Sequence, residues 1–233
     1  MLAISHRYLG LAIGLLVIAN EPASAQQRIG EASSVKNSVV RVSLNATQPL
    51  QNGGSVFKDE IIRTGKASST QLAFIDQTNL AVGPSSSVKL DRFVFDGSTA
   101  NQAVRINLLK GAFRFTTGRL DKRAYRIQTS SATIGVRGTV LDIRNIDCRL
   151  DERAVLSGRS IGTLSCTTHV TLVDNGAALV CANGSSKCVE LDRPGQSVRI
   201  RRNRITKVPS NKAFSFSGHC DQNPGLCQPV NCN

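Results

Sequence analysis

The strongest constraint on the fold of this chain is an alternation of apolar and polar residues with a period of two, broken by turn residues. Successive side chains of a β-strand point to opposite faces, so the alternation predicts strands. Turn-forming pairs such as Asn175-Gly176 and Pro194-Gly195 separate the short runs. The apolar members are Leu72, Phe74, Leu80, Val82, Val88, Leu90, Phe93, Phe95, Val104, Ile106, Leu108, Phe113, Phe115, Tyr125, Ile127, Val170, Leu172, Val189, Leu191, Val198 and Ile200.

Strands spaced about 8–12 residues apart predict a sandwich, a barrel or a solenoid. No stretch after residue 25 has a sustained helical period, which disfavours parallel α/β folds because their crossover helices are missing. Units of similar length at 71–75, 79–83 and 87–91 favour stacked rungs. We therefore predict an all-β protein, a solenoid-like stack of short strands with a disulfide-bearing C-terminal extension.

The first 25 residues have the pattern of a cleavable signal peptide. A weakly basic start with His6 and Arg7 precedes the apolar stretch 9–19, and Ala23-Ser24-Ala25 has the small-x-small pattern of a cleavage site. The apolar stretch is too short to span a bilayer as a helix. We expect a mature chain starting near Gln26, with no transmembrane segment after cleavage and a periplasmic or secreted location.

Seven cysteines lie between residues 148 and 232. An exported protein meets an oxidising compartment, which favours disulfides over free thiols. Cys181 and Cys188 flank Asn183-Gly184, a dipeptide typical of hairpin turns, so we predict that these two cysteines pair across adjacent strands. The remaining connectivity and the fate of the seventh cysteine stay open.

The chain carries 29 Lys and Arg against 16 Asp and Glu, a net charge of +13. Within this surplus, Arg199, Arg201, Arg202 and Arg204 form a candidate polyanion-binding cluster, with Arg199 and Arg201 on the outer face of a strand. We expect an envelope protein or an anionic envelope polymer as the partner. Export and the few aromatic residues argue against nucleic acid. The alternative is a solvated face that protects an edge strand.

Two patterns raise the question of catalysis or metal binding. Residues 158–162 match G-x-S-x-G around Ser160, but a nucleophile elbow needs a strand before it, a helix after it and a histidine base, and the following sequence is strand-like. A secreted serine hydrolase is therefore only a minor alternative. The set Cys166, His169, His219 and Cys220 contains zinc-binding residue types without a standard spacing. We expect no enzyme activity, no cofactor and no metal.

Four pieces of the central sequence resemble a FecR-type domain, in the same order and with similar spacing. They are DEIIRTGKAS from Asp59, LAFIDQTNLAVGPSSSV from Leu72, NLLKGAFRF from Asn107, and YRIQT from Tyr125 together with ATIGVRGT from Ala132. The resemblance implies an exported, all-β, solenoid-like module. Signalling members of the family relay ligand occupancy from an outer-membrane receptor to a sigma factor. Those members carry a cytoplasmic helical segment and a membrane helix, whereas here we expect a standalone envelope protein.

The family motif comprises Ile134, Gly135, Val136, Arg137, Gly138 and Thr139. Ile134 and Val136 are predicted to be buried, and Gly138 permits a positive φ or a close backbone approach. Arg137 has five donors with which to cap carbonyls at a strand end. We expect the motif to shape the fold, with anion binding by Arg137 as the alternative.

These observations predict a division of the chain and a role. The predicted segments are a signal peptide at 1–25, a strand and loop segment at 26–53, a FecR-like core at 54–145, a C-terminal β extension at 146–208 and a Cys-containing tail at 209–233. We expect a non-catalytic envelope protein acting by ligand or protein recognition in signalling or regulation. The alternative is a basic polyanion-binding or adhesive surface protein. The sequence leaves the oligomeric state open.

Overall fold

The structure, a computed structural model, describes residues 26–94, 102–121, 123–161, 165–210, 215–223 and 226. The predicted signal peptide lies outside these residues. The elements are β1 (Arg28–Lys36), β2 (Val39–Val42), β3 (Thr47–Pro49), β4 (Ser55–Phe57), β5 (Ile61–Thr64), β6 (Ser69–Phe74), β7 (Asn79–Val82), β8 (Ser87–Val94), β9 (Ala103–Thr116), β10 (Tyr125–Gln128), β11 (Ala132–Arg137), β12 (Val140–Arg149), α1 (Glu152–Leu156), β13 (Ser165–Leu172), β14 (Ala177–Ala182), β15 (Cys188–Leu191), β16 (Ser197–Arg201), β17 (Arg204–Val208) and α2 (Ser217–Gln222).

The strands form two sheets that share β9. Sheet A has the order β4-β1-β6-β7-β9-β12-β13-β16-β17. Sheet B has the order β3-β2-β5-β8-β9-β10-β11-β14-β15. All of these pairings are antiparallel except β9 with β10. The prediction of an all-β protein is confirmed.

The chain builds the two sheets by distributing its hairpins over both layers. The hairpins β6–β7, β12–β13 and β16–β17 belong to sheet A, while β10–β11 and β14–β15 belong to sheet B. The described strands do not close into a solenoid, so the solenoid-like part of the predicted fold is not confirmed. The hairpins of the two packed sheets follow one another along the chain, which explains the closely spaced strands of the sequence pattern.

The apolar residues of the period-two pattern fill the space between the sheets, except for Phe95, which lies outside the described residues. Buried residues of both sheets form one continuous core that extends from Ile29 to Ile200. Aromatic contacts join the layers: the rings of Phe74 and Phe93 lie 4.7 Å apart, and those of Phe115 and Tyr125 lie 5.9 Å apart in an edge-on arrangement. The alternation therefore identifies the faces of the strands correctly.

Strand β9 passes from one layer to the other at Gly111. Its first part pairs with β8 and β10 in sheet B, and the part from Gly111 onward pairs with β12 in sheet A. Gly111 has a φ of +106°, and a Cβ atom there would lie 2.0 Å from Oγ of Ser86. The Ser86 hydroxyl accepts a hydrogen bond of 3.1 Å from the backbone N–H of Ala112. The crossing therefore requires glycine, both for its conformation and for the close approach.

Disulfides secure the C-terminal half. Cys148 pairs with Cys166 across the segment that contains α1. The predicted pairing of Cys181 with Cys188 is present, between residues in direct register on β14 and β15. Cys220 is also disulfide-bonded.

The tail around α2 packs onto the outer face of sheet A. The ring of Phe216 is buried with Ala81 and Leu226. The backbone N–H of Phe216 donates a 2.7 Å hydrogen bond to Oδ2 of Asp142, and Arg114 donates to both carboxylate oxygens of Asp142 at 2.7 and 3.0 Å. A buried ion pair on the sheet therefore anchors the tail.

Among the described residues, no helix has the length and apolar character needed to cross a membrane.

Candidate functional site

The strand register of sheet A brings basic residues from distant parts of the sequence onto one outer surface. Arg144 of β12 lies opposite His169 of β13, which lies opposite Arg199 of β16. Two residues further along β16, Arg201 is paired with Arg204 of β17. Adjacent strands lie about 4.8 Å apart, so these side chains form a compact positive surface.

Two adjoining cavities open on this surface. The first, the basic groove, has a volume of about 1050 Å³ and is lined by Lys187, Arg199, Arg201, Arg202 and Arg204 together with Ile146, Asp147, Thr167, His169, Asn203, Ile205 and Thr206. The second, the end cleft, has a volume of about 710 Å³ and is lined by Ser130, Ser131, Asp147, Arg149, Cys166, Thr167, Asn183, Gly184, Arg201, Arg202 and Asn203. The five lining residues that the cavities share make them one continuous depression.

The positive charge of the basic groove has little compensation from the protein itself. Within the described part of the chain, Arg199, Arg201, Arg202 and Arg204 form no ion pair. Asp147 is the only acidic residue among those lining either cavity. Val198 and Ile200 are fully buried, so the arginines that alternate with them lie on the outer face, as the sequence predicts. Such a surface attracts anionic ligands.

His169 lines the groove, and its pKa is shifted by the positive charges around it. The side chain is buried, and the pKa of His169 is lowered first by burial and then by the charges of Arg199 and Arg144. The pKa of His219 on α2 is lowered by burial and by Arg144, with Asp142 acting in the opposite direction. Both imidazoles are therefore held neutral where an exposed histidine would begin to take up a proton.

We expect the thermal stability of the protein to decrease as the pH falls below about 6.5. A histidine pKa that is lower in the folded than in the unfolded state, whose reference value is 6.5, stabilises the fold fully above that value. The contribution is lost as the pH falls through the folded-state pKa. Thermal melts at pH 7 and at mildly acidic pH test this, with His169→Gln/His219→Gln as the variant whose melting temperature should fall less. An equal fall in both proteins would contradict the assignment.

The family motif lies away from both cavities and shapes a turn. Ile134 and Val136 are buried, and Gly138 has a φ of +63° between β11 and β12. Arg137 is exposed, and its guanidinium lies 3.9 Å from a carboxylate oxygen of Glu190. The Thr139 hydroxyl donates to the carbonyl of Asp174 at 2.9 Å. These contacts agree with a structural role for the motif.

The residues around Ser160 do not have the geometry of a nucleophile elbow. Ser160 is exposed and follows α1, whereas the elbow places serine between a strand and a helix. It lines a separate cavity of about 480 Å³, and none of the described residues lining that cavity is a histidine. The zinc alternative lacks its thiolates, because Cys166 and Cys220 are both engaged in disulfides.

Several residues of the two cavities could not be selected from the sequence. Arg149, Lys187 and Ser130 come from strand ends and turns, where no periodic pattern places a side chain. Arg144 has a detectable signal, since it alternates with the buried Ile143 along β12. The residues that lie opposite Arg144 on the neighbouring strand depend on the strand register, which cannot be predicted from the sequence pattern.

Residues 60–159 match the family model described as FecR protein. The match confirms, over this segment, the FecR-type resemblance that its motifs predict. No curated protein gives a significant match.

Two crystal structures of a protein from Parabacteroides distasonis, assigned as an anti-sigma factor, resemble this fold. Their identities to the chain are 14%, with TM-scores of 0.47 and 0.48. Each match covers 70% of this chain but only 64% and 65% of the other chains, which is less than two thirds of their length.

Proposed function

We propose that the protein is a non-catalytic regulatory component of the cell envelope that acts by binding a partner in the basic groove. The observation that carries the proposal is a cluster of arginines that form no ion pair with any described residue, held on the core of which the FecR segment is part. A partner with an acidic surface gains from these charges both in association rate and in specificity. Among the described residues that line the groove, none is a serine or cysteine that His169 could activate, which supports recognition rather than turnover.

An extracytoplasmic location fits the covalent structure. Disulfides persist in oxidising compartments and are rare in the cytosol. Two disulfides join pairs of cysteines within the described residues, and Cys220 takes part in a further one. Together with the predicted signal peptide, they favour the periplasm or the exterior.

A second candidate function is that of a polyanion-binding surface protein. The arginines lie at regular intervals along and across β16 and β17, and cover an open surface rather than a closed pocket. A linear polymer with repeated negative charges fits such a surface without exact shape complementarity. The two candidates share the site and differ in the kind of partner.

We expect the triple variant Arg199→Glu/Arg201→Glu/Arg202→Glu to lose binding to cell envelopes at low salt. The reversal turns attraction into repulsion over a short distance, and wild-type binding should weaken as added salt screens the charges. Co-sedimentation of the mature chain with envelope fractions measures the effect.

The matched control is Arg123→Glu/Arg137→Glu/Arg193→Glu, which makes the same change in net charge at exposed positions outside both cavities. It should still sediment with envelopes, and equal loss in both variants would show that only net charge matters. Protease treatment of the envelopes separates the candidates: binding that disappears identifies a protein partner, and binding that persists identifies an anionic polymer.

A further inference from the structure

We infer that the end cleft is a binding site for a phosphate group, of the kind that a phosphomonoester ligand presents. The inference rests on the proposed recognition role in that the two cavities share Arg201, Arg202 and three further lining residues. Ser130 and Arg149 line the end cleft and not the basic groove. The end cleft therefore extends the same depression with polar groups that the basic groove does not have.

Turns from both sheets meet around the cleft. The β10–β11 turn contributes Ser130, and the β14–β15 turn contributes Asn183 and Gly184. The two-residue loop of the β16–β17 hairpin, Arg202-Asn203, forms the facing wall. A Cβ atom on Gly184 would lie 3.5 Å from Nδ2 of Asn203, so these last two turns are in close proximity.

A buried hydrogen-bond network supports the β10–β11 turn. The Ser131 hydroxyl donates to Oγ1 of Thr168 at 2.7 Å, and Thr168 donates to Oδ1 of Asn145 at 2.8 Å. The side-chain amide of Asn183 donates to the carbonyl of Ser130 at 3.2 Å. Side chains held in this way are positioned before a ligand arrives, which limits the entropy lost on binding.

Ser130 provides an unused donor in this rigid turn. Its side chain is 7% exposed, and its hydroxyl has no hydrogen-bond partner in the described part of the protein. Buried hydroxyls are nearly always hydrogen-bonded, so one that lines a cavity without a partner points to a ligand oxygen as the missing acceptor.

Arg202 occupies a position that favours other residues. Its φ is +53°, in a two-residue hairpin loop where glycine, asparagine or aspartate is usual. An arginine here carries a conformational cost, and such outliers cluster at functional sites. The loop gains a guanidinium that lines both cavities.

The charges of the cleft fit phosphate better than a carboxylate. Arg149, Arg201 and Arg202 form no ion pair within the described residues, and guanidinium groups bind phosphate oxygens in a bidentate manner. Three such groups match an anion that carries close to two negative charges near neutral pH. Asp147 on the wall can accept a hydrogen bond from the one protonated oxygen of hydrogen phosphate or of a phosphomonoester monoanion, whereas sulfate has no proton to donate.

Isothermal titration calorimetry of the full mature chain with inorganic phosphate, and separately with sulfate, tests the inference. We expect saturable binding of phosphate in preference to sulfate. Arg202→Gly and Ser130→Ala should each weaken phosphate binding by about tenfold or more, as for the loss of one charge-assisted hydrogen bond. Because glycine suits the φ of residue 202, Arg202→Gly should melt at the same temperature as the wild type or above it, which separates binding from folding.

Arg204→Ala is the control, since Arg204 lines the basic groove but not the end cleft. It should bind phosphate normally while weakening envelope binding, so failure of the groove and failure of the cleft are distinguishable. Equal affinity for sulfate, equal loss in Arg204→Ala, or no phosphate binding at millimolar concentration would overturn the assignment.

Vesicles of phosphatidylcholine with or without phosphatidic acid identify the source of the phosphate group. If the protein binds to vesicles with phosphatidic acid, and free phosphate competes with this binding, the result supports the site and identifies a lipid headgroup as a ligand. Binding of free phosphate alone supports the site with a soluble phosphomonoester.

Discussion

Replacing Gly111 by alanine is expected to destabilise the protein more than any other single glycine-to-alanine exchange in the interior of a strand. The new Cβ would lie 2.0 Å from Oγ and 2.6 Å from the backbone Cα of Ser86, at a φ of +106° that side chains rarely adopt. Backbone strain of this kind costs about 1–3 kcal/mol and overpacking a similar amount, so the melting temperature should fall by roughly 5–20 °C. Thermal melts followed by circular dichroism measure the change.

Gly135→Ala is the matched control for this exchange. Gly135 also lies within a strand, but a Cβ atom there would have no neighbour within 4 Å and its φ is not positive. We expect its melting temperature to stay the same or rise slightly, because alanine loses less backbone entropy on folding. A small effect of Gly111→Ala, close to that of the control, would contradict the role assigned to the crossing.

Replacing Asp142 by alanine is expected to destabilise the fold and release the tail. Asp142 is 1% exposed and neutralises Arg114, whose guanidinium also lies 5.8 Å from the centre of the Phe216 ring. Removing one partner of a buried ion pair typically costs about 3–5 kcal/mol because the other charge remains buried without compensation. Limited proteolysis should then cut near Phe216 faster than in the wild type, and the melting temperature should fall.

Asp192→Ala removes a carboxylate from an exposed pair, in which Asp192 lies 3.8 Å from Arg193. Exposed pairs contribute at most about 1 kcal/mol, so this control should melt close to the wild type. The double variant Arg114→Ala/Asp142→Ala should be more stable than the sum of the two single effects predicts, since neither charge is then left alone. Strict additivity would mean that the pair is not coupled.

The sequence predicts the strands well because burial on one face imposes a period of two. It even contains a trace of the crossing in β9: the buried apolar positions are even-numbered up to Leu108 and odd-numbered from Phe113 onward. This change of phase marks the passage between the sheets. Which strands become neighbours is not readable in the same way, because alternation fixes a face and not a partner.

At the candidate site, too, the alternation predicts the face on which a residue lies but not the residues that lie next to it. The arginines of β16 and β17 are adjacent in the sequence, and their outward orientation follows from the buried Val198 and Ile200. At Asp142 the alternation is misleading. It places this residue on an outer face of the sheet and therefore predicts an exposed side chain, whereas the side chain is buried. The tail covers it from 74 residues further along the chain, and no local pattern reports so distant a contact.

The distribution of hairpins over the two layers also bears on how the protein assembles. Among the described strands, every pairing joins members no more than five positions apart in strand order, the widest being β1 with β6. Pairing between strands that are close in chain order favours stepwise growth of the two layers, in which each strand is added to strands made shortly before it. The segment around α2 returns to the first part of the chain, where the side-chain amide of Asn223 donates to Ser69 and the carbonyl of Gln222 accepts from Lys36. We therefore expect the segment around α2 to pack onto the sheet as the last step of folding.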